Sequence, residues 1–270
     1  TLRDPEQLDF NMLVIPGVDE TSVTDYALEM VEDRADAFYI MDLCPSGSSI
    51  ATAVENAVAF DSNYAAVYYP WLVINDVDNS RPVTVPPSCL VAGAIAYNDK
   101  IGFPWYAPAG LNRGGLSTVI EAEKILNQPD ADELYLNRIN PIKSFPTEGI
   151  VIWGQKTLQV KSSALDRVNV RRLLIYARKL ISSVSKYLVF EPNNSKTWDK
   201  FVNLVNPILE NIQVNSGLEA FKVVMDSSVN TPELIDQNIM MGKLYLQPTR
   251  TAEILILDFI VQRTGASFTE

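Results

Sequence analysis

Three short apolar runs near the start constrain the fold most: Phe10-Asn11-Met12-Leu13-Val14-Ile15, Ala37 to Leu43, and Ala65-Ala66-Val67-Tyr68-Tyr69. The first two end in turn residues, Pro16-Gly17 and Pro45-Ser46-Gly47. Between the first and second, Thr21-Ser22-Val23-Thr24 opens a stretch with Tyr26, Ala27, Met30 and Val31 on one face and Glu29, Glu32 and Asp33 on the other. That is helical spacing. Ser48 to Phe60 reads as a second helix. Connectors long enough to hold a helix carry the chain back across a sheet, so successive strands run parallel and need cover on both faces. The expected class is α/β, a mostly parallel helix-covered sheet.

Further along, Asn75 to Pro87 is polar and reads as an exposed loop before a helix starting near Ser88. Gly102 to Gly115 is dense in Pro, Gly and aromatics, and is expected to be irregular. Ile120 to Leu126 reads as a short helix stopped by Gln128-Pro129, and Leu134-Tyr135-Leu136-Asn137 and Pro141 to Phe145 as short strands. Ile150 to Trp153 is a buried strand leading toward Lys161. Leu165, Val168, Leu173, Ala177, Leu180, Val184 and Leu188 then form the stripe of one long amphipathic helix, closed by Pro192-Asn193-Asn194. Thr197 to Asn215 is another helix, ended by Gly217. Ala220 to Met225, Leu244 to Leu246 and Ile254 to Val261 read as strands. The change of character near Ser162 predicts an α/β domain over 1–161 and a smaller α+β domain over 162–270. Charge changes there too: 10 Lys+Arg against 22 Asp+Glu before it (10 − 22 = −12), and 12 against 11 after it (12 − 11 = +1).

The overall charge of −11 argues against general affinity for nucleic acid or an anionic membrane surface, both of which need clustered cations. No apolar run reaches the roughly 20 residues of a membrane span. Thr1 stands where an initiating Met would, so the sequence is expected to be a fragment. Cys44 and Cys89 lie far apart and are expected to be two buried, reduced thiols. Histidine is absent, which removes Ser-His-Asp and Cys-His catalysis and His-ligated zinc together.

Pro45-Ser46-Gly47-Ser48-Ser49 lies where phosphate loops occur but has neither Lys nor a G-x-G-x-x-G pattern, so it is expected to be a turn with a Ser N-cap. Asp42, Asp61, Asp76 and Asp78 could form a metal or acid/base cluster, with Asp42 and Asp76 the pair a hydrolase on a parallel sheet would use, but their spacing matches no metal loop. No base stands near Ser46 or Ser48. Catalytic residues, metal, cofactor and small-molecule ligand are therefore all expected to be absent. Six cations of this acidic chain gather on the long helix: Arg167, Arg171, Arg172, Arg178, Lys179 and Lys186. Arg172, Lys179 and Lys186 follow at intervals of seven, on one stripe. A solvated face and a partner-facing surface both fit such a stripe.

Asn137-Arg138-Ile139-Asn140-Pro141-Ile142, Gly149-Ile150-Val151-Ile152-Trp153-Gly154-Gln155-Lys156-Thr157-Leu158, Val168-Asn169-Val170-Arg171-Arg172-Leu173 and Phe190-Glu191-Pro192-Asn193-Asn194 recur in order in one family. The chain resembles the contractile tail sheath proteins of myovirus bacteriophages. Ala107-Pro108-Ala109-Gly110 with Arg113-Gly114 is similar to another of that family's phrases, and the resemblance runs from about residue 90 to the end. It departs at Gln155-Lys156, where the family pattern has a small residue then Arg, at a position expected to face a loop.

The resemblance implies a structural subunit and not an enzyme. Such subunits stack as rings around a tail tube and contract on a baseplate signal, driving the tube through the host envelope. Neighbouring subunits, tube and baseplate would be the partners, and the phage virion, assembled in host cytoplasm, the location. Extended terminal arms would pair between subunits, as the strand over 254–261 suits. Arg167, Arg171, Arg178, Lys179 and Lys186 are then the expected partner-binding residues, facing the tube or the next ring, with Asn169 and Arg172 open to a structural role. The acidic loop from Asn75 to Arg81 is a candidate outer surface, or the place where longer family members insert a variable domain. A bacteriocin-like particle or secretion-system sheath is the near alternative. The hydrolase and a monomeric binding module are the distant ones.

Overall fold

Strand β1 (Met12–Val14), helix α1 (Thr21–Arg34), strand β2 (Phe38–Met41), helix α2 (Ile50–Val58) and strand β3 (Ala65–Tyr69) follow one another as the alternation predicts. They belong to a computed structural model that describes residues 2–253. β1 pairs with β2 and β2 with β3, both parallel. Helix α2 starts at Ser49, whose hydroxyl accepts the Thr52 N–H at 3.1 Å, so the expected Ser cap is present.

Beyond β3 the chain leaves the main sheet. β4 (Leu72–Asp76) and β5 (Arg81–Val85) form an antiparallel hairpin, where a polar loop over Asn75 to Pro87 was expected. Asp76 organises its turn, accepting the backbone N–H groups of Asp78 and Asn79 at 3.1 and 3.2 Å. Pro82 is tolerated because β5 is the outer strand of its three-stranded sheet, ordered β5-β4-β6. After helix α3 (Pro87–Ile101) comes β6 (Val119–Ala122), a strand where Ile120 to Leu126 had read as a helix. The real helix is α4 (Gln128–Leu136), over residues that had read partly as a strand. Asn127 and Asp130 form a reciprocal capping box with a proline in the first turn. Gln128-Pro129 therefore starts a helix and does not stop one.

β7 (Ile139–Phe145) returns beside β3 in parallel, and β8 (Gly149–Ile152) pairs antiparallel with β7, giving the order β1-β2-β3-β7-β8. Pleating divides the strand residues between two cores. Tyr39, Met41, Ala65, Val67 and Ile139 meet Ala27 and Val31 of α1, Ala53 and Ala57 of α2 and Leu134 of α4. Phe38, Ile40, Ala66, Tyr68 and Ile142 meet Val91 and Ile95 of α3 on the other face. Both faces are covered, which is why these strands read as unbroken apolar runs.

The remainder is built on helix α5 (Val168–Ser185), flanked by single 3-10 turns at Ala164–Asp166 and Lys186–Leu188. Helix α6 (Ser195–Val214) packs on it, followed by strand β9 (Leu218–Val224), a short helix α7 (Pro232–Asp236) and strand β10 (Lys243–Pro248), antiparallel to β9. Val168 and Ile175 of α5 enter the α3 side of the sheet core, whereas Leu173 and Ala177 enter a third core with Trp198, Phe201, Val205 and Leu209 of α6. One helix thus belongs to two cores. The irregular Gly102 to Gly115 stretch completes the third one: Trp105 is buried there, stacked on Phe103 at 4.7 Å and edge-on to Tyr176 at 5.6 Å. In the same stretch, a Cβ on Gly114 would come within 2.8 Å of the Ile152 carbonyl oxygen and 2.9 Å of the Ala109 Cα, so only glycine lets these backbones approach. The strand expected over Ile254 to Val261 lies outside the described residues.

Candidate functional site

The carboxylates that the hydrolase alternative would need each serve the fold locally. Asp42 is buried, and its oxygens accept the Gly17 N–H at 2.9 Å, the Ser88 hydroxyl at 2.6 Å and the Ser88 N–H at 3.2 Å. It stitches the turn after β1 to the start of α3. Burial pushes its carboxyl up, against those three bonds. Beside it the free space is about 10 Å³, scarcely room for one water. Asp61 accepts the Val160 N–H at 2.8 Å, and Asp76 is held by its own hairpin turn. Among the described residues no group of His, Cys, Asp and Glu is placed to hold a metal. Asp42→Asn is expected to cost about 1–3 kcal/mol in urea titration despite removing a buried charge, because an amide cannot accept from all three donors. An unchanged or higher midpoint would refute that role. Cys44 is buried as expected, but Cys89 is exposed.

The six cations of the basic helix separate by position. Arg172, at the buried face, grips Asp99 with both terminal nitrogens, one contact at 2.9 Å, and donates to the Pro104 carbonyl at 3.2 Å. Arg171 is buried too, its guanidinium 4.0 Å over the Tyr64 ring and bonded to Asn63 Oδ1. Burial holds its pKa below the usual arginine value. Arg171, expected to face a partner, is instead buried within the chain: it lies on nearly the same face of α5 as exposed Arg178, seven residues on, but in the half of the helix that the rest of the chain covers.

Arg167, at the helix start, binds Glu253 through Nε at 2.6 Å and a terminal nitrogen at 3.0 Å, and pairs with Asp166 at 3.0 Å. Glu253 also accepts from the Tyr135 hydroxyl at 2.7 Å and Gln155 Nε2 at 3.3 Å. At the departure Gln155-Lys156, Gln155 is buried and meets Glu253 of an irregular segment, and Lys156 lies 4.3 Å over the Tyr135 ring. Burial first, and Arg167 second, hold the Lys156 ammonium below its ordinary pKa. Asn169 is buried and donates to the Trp105 carbonyl at 3.2 Å and Thr251 at 3.0 Å, so it is structural, like Arg172.

Toward the other end, Lys179 takes Asp9, the Phe10 carbonyl at 2.8 Å and Asn11 Oδ1 at 2.6 Å, and holds the Asp9 carboxyl below its usual range. Lys186 is exposed, with Glu6 at 3.5 Å. Arg178 is exposed and makes no ion pair among the described residues. Together with the acidic segment that holds Glu6 and Asp9, this end of α5 borders an open groove of about 760 Å³. Arg178 and Lys186 are the cations it presents most freely. The Glu253 clamp was missed from sequence, since nothing local to residue 253 signals a contact with residue 167.

Two family models cover nearly all of the chain. The phage tail sheath protein central domain matches residues 2–158, and the phage tail sheath C-terminal domain matches residues 160–262. The chain belongs to the phage tail sheath family. It is 35% identical over 218 residues to the tail sheath protein of Vibrio phage KVP40, covering 81% of this chain and 32% of that protein. It is 34% identical over 220 residues to the tail sheath protein of Enterobacteria phage T4, covering 80% and 33%. The sheath chain thus spans about a third of the length of these curated relatives. Among solved structures, the sheath complex of an extracellular contractile injection system, PVC, in its contracted state superposes with a TM-score of 0.82 at 28% identity, over 95% of this chain and 72% of that one. The sheath fold and the α/β class are therefore established together.

Proposed function

We propose that this chain is the core of a structural subunit of a phage contractile tail sheath, stacking in rings around a tail tube and contracting to drive that tube through the host envelope. What carries the reading is family membership across both of its parts, shared with the tail sheath proteins of two phages. Neighbouring subunits, the tube and the baseplate are the partners, the virion is the location, and assembly takes place in the host cytoplasm. No nucleotide, metal or catalytic group takes part in this reading. The unit boundary falls just before the long helix, at 161/162.

The partner-binding part of the reading narrows to the far end of α5. Arg178 and Lys186 face outward, toward an acidic partner surface on the tube or the next ring. Arg167, Arg171 and Lys179 serve it from behind by fixing the helix against the rest of the chain. Individual exposed pairs are worth at most about 1 kcal/mol. Repetition around a ring makes the sum decisive, and charge steers the docking.

Negative-stain microscopy of the complete gene product at rising concentration tests the reading. Hollow tubes are expected from the wild type, and none from the double variant Arg178→Glu/Lys186→Glu at the same concentration. A wild-type product that stays monomeric throughout would sink the sheath reading. Tubes from both would retain it and remove the basic end of α5 from the contact.

A further inference from the structure

The connection between α5 and α6 makes a type II turn over Leu188-Val189-Phe190-Glu191. Val189 has φ −67° and ψ 133°, Phe190 has φ +71°, and the Glu191 N–H donates to the Leu188 carbonyl at 3.2 Å. The third position of such a turn favours glycine, because a Cβ is strained at positive φ. Here it holds a phenylalanine. Leu188 just before it is buried in the third core, yet Phe190 is fully exposed and Tyr187 and Val189 stand mostly clear of the fold beside it. Nothing within the described chain offsets either the strain or the exposed ring. Asn193 anchors the loop, accepting from Trp198 Nε1 at 2.8 Å and donating to the Ile239 carbonyl at 2.9 Å, so the ring is held out on a fixed base.

A matching cavity lies on the same molecule. Ala107, Ala109, Ala131, Pro141 and Trp153 form the apolar side of a pocket of about 380 Å³, ample for one aromatic ring, whose lining also holds Gln128, Asp132, Gln155 and Glu253. Trp153 is partly exposed at its mouth, with its ring 4.9 Å from Phe145. The pocket adjoins Gln155 and Glu253, the clamp at the start of α5, whereas Phe190 follows the end of that helix. The 18 residues of α5 put roughly 27 Å between those ends at the usual helical rise. A chain therefore cannot fill its own pocket with its own ring. Charge agrees: exposed Lys186 and Lys196 flank the aromatic turn in sequence, and exposed Asp132 lies on the pocket lining. Glu191, the acidic residue of the turn, faces Lys200 at 3.8 Å.

We propose that the Val189–Phe190 turn of one copy seats its ring in the Trp153–Pro141 pocket of a second copy. Knob and socket are different surfaces, so the contact is heterologous and runs head to tail, closing into a ring or continuing as a helix. It rests on the reading of the chain as a subunit that assembles with its own kind. An aromatic anchor in a desolvated pocket carries a large share of an interface's energy.

In a Cys89→Ser background, a preparation carrying Phe190→Cys is mixed with one carrying Ala109→Cys and treated with a short bismaleimide. The expected result is a covalent dimer from the mixture, and none from either alone or when Glu55→Cys on the outer side of α2 replaces the pocket thiol. No dimer, or equal yield with the control thiol, overturns the contact. A pocket thiol that resists a small maleimide is already covered within its own chain and overturns it as well. Phe190→Gly, which relieves the turn, is expected to keep or raise the thermal midpoint while weakening self-association of the complete gene product about tenfold or more. Wild type and Phe190→Gly associating equally would overturn the knob and leave the sheath reading standing. Failure of the wild type to associate at all would overturn both.

Discussion

Arg172→Ala is expected to lower the stability of the chain by about 3 kcal/mol, while Arg178→Ala, one and two-thirds turns further along the same helix, stays within about 0.5 kcal/mol of wild type. The two are the same residue type on one basic helix. They differ in what they touch. Arg172 sits inside, closing a two-pronged pair with Asp99 and satisfying the Pro104 carbonyl, whereas Arg178 faces solvent. Removing one member of a buried pair strands the other and leaves a void. The loss falls at the low end for such pairs because the Asp99 side chain keeps 29% exposure and can rehydrate. Urea denaturation followed by tryptophan fluorescence would measure both variants side by side. Equal effects would mean that the internal pair contributes nothing beyond a surface charge.

Trp105→Ala is the second large change, at about 3–5 kcal/mol. The indole fills a gap between α5, α6 and the strand pair, stacked on Phe103 and edge-on to Tyr176. Its N–H donates to the Asn215 carbonyl at 2.9 Å, where α6 ends, so truncation also orphans a helix-terminal acceptor. A chain of this size loses roughly 2–4 °C of melting temperature per kcal/mol, so a fall on the order of 10 °C is expected in calorimetry. Trp105→Phe keeps the stacking and loses only the N–H, and should recover most of it. A fall of less than about 3 °C for the alanine variant would show that the third core closes without the aromatic stretch.

Much of the fold could be read directly, because the relevant physics is local. Unbroken apolar runs separated by helical spacing imply a covered parallel sheet, and β1, α1, β2, α2 and β3 stand where that pattern put them. The long helix was also legible, with its ends unwound into 3-10 turns. The errors cluster between residues 72 and 136, where turn chemistry decides. Asp76 to Arg81 makes a hairpin through side-chain to backbone bonds that composition alone presents as a polar loop. Gln128-Pro129 reads as a stop unless Asn127 and Asp130 are seen as a reciprocal cap. The site was less legible than the fold. A stripe of like charge locates a helix face, but it cannot say that Asn63, Tyr64 and Asp99 wait beneath Arg171 and Arg172. Those partners lie 73 and 108 residues away along the chain for the two hydrogen bonds concerned. The aromatic turn was hidden for the opposite reason: Phe190 stands just before the helix stop Pro192-Asn193-Asn194 with no local signal of its own, and only its positive φ and full exposure set it apart.

The placement of α5 in two cores has a mechanical consequence. Its Val168 and Ile175 are locked into the sheet side and its Leu173 and Ala177 into the α6 side, with Arg172 riveted to Asp99 between them. A tensile or torsional load on either half reaches the other along hydrogen-bonded helix instead of through a slack linker. Among the described residues the compliance of such a block lies in its surface turns, and its interior behaves as a strut.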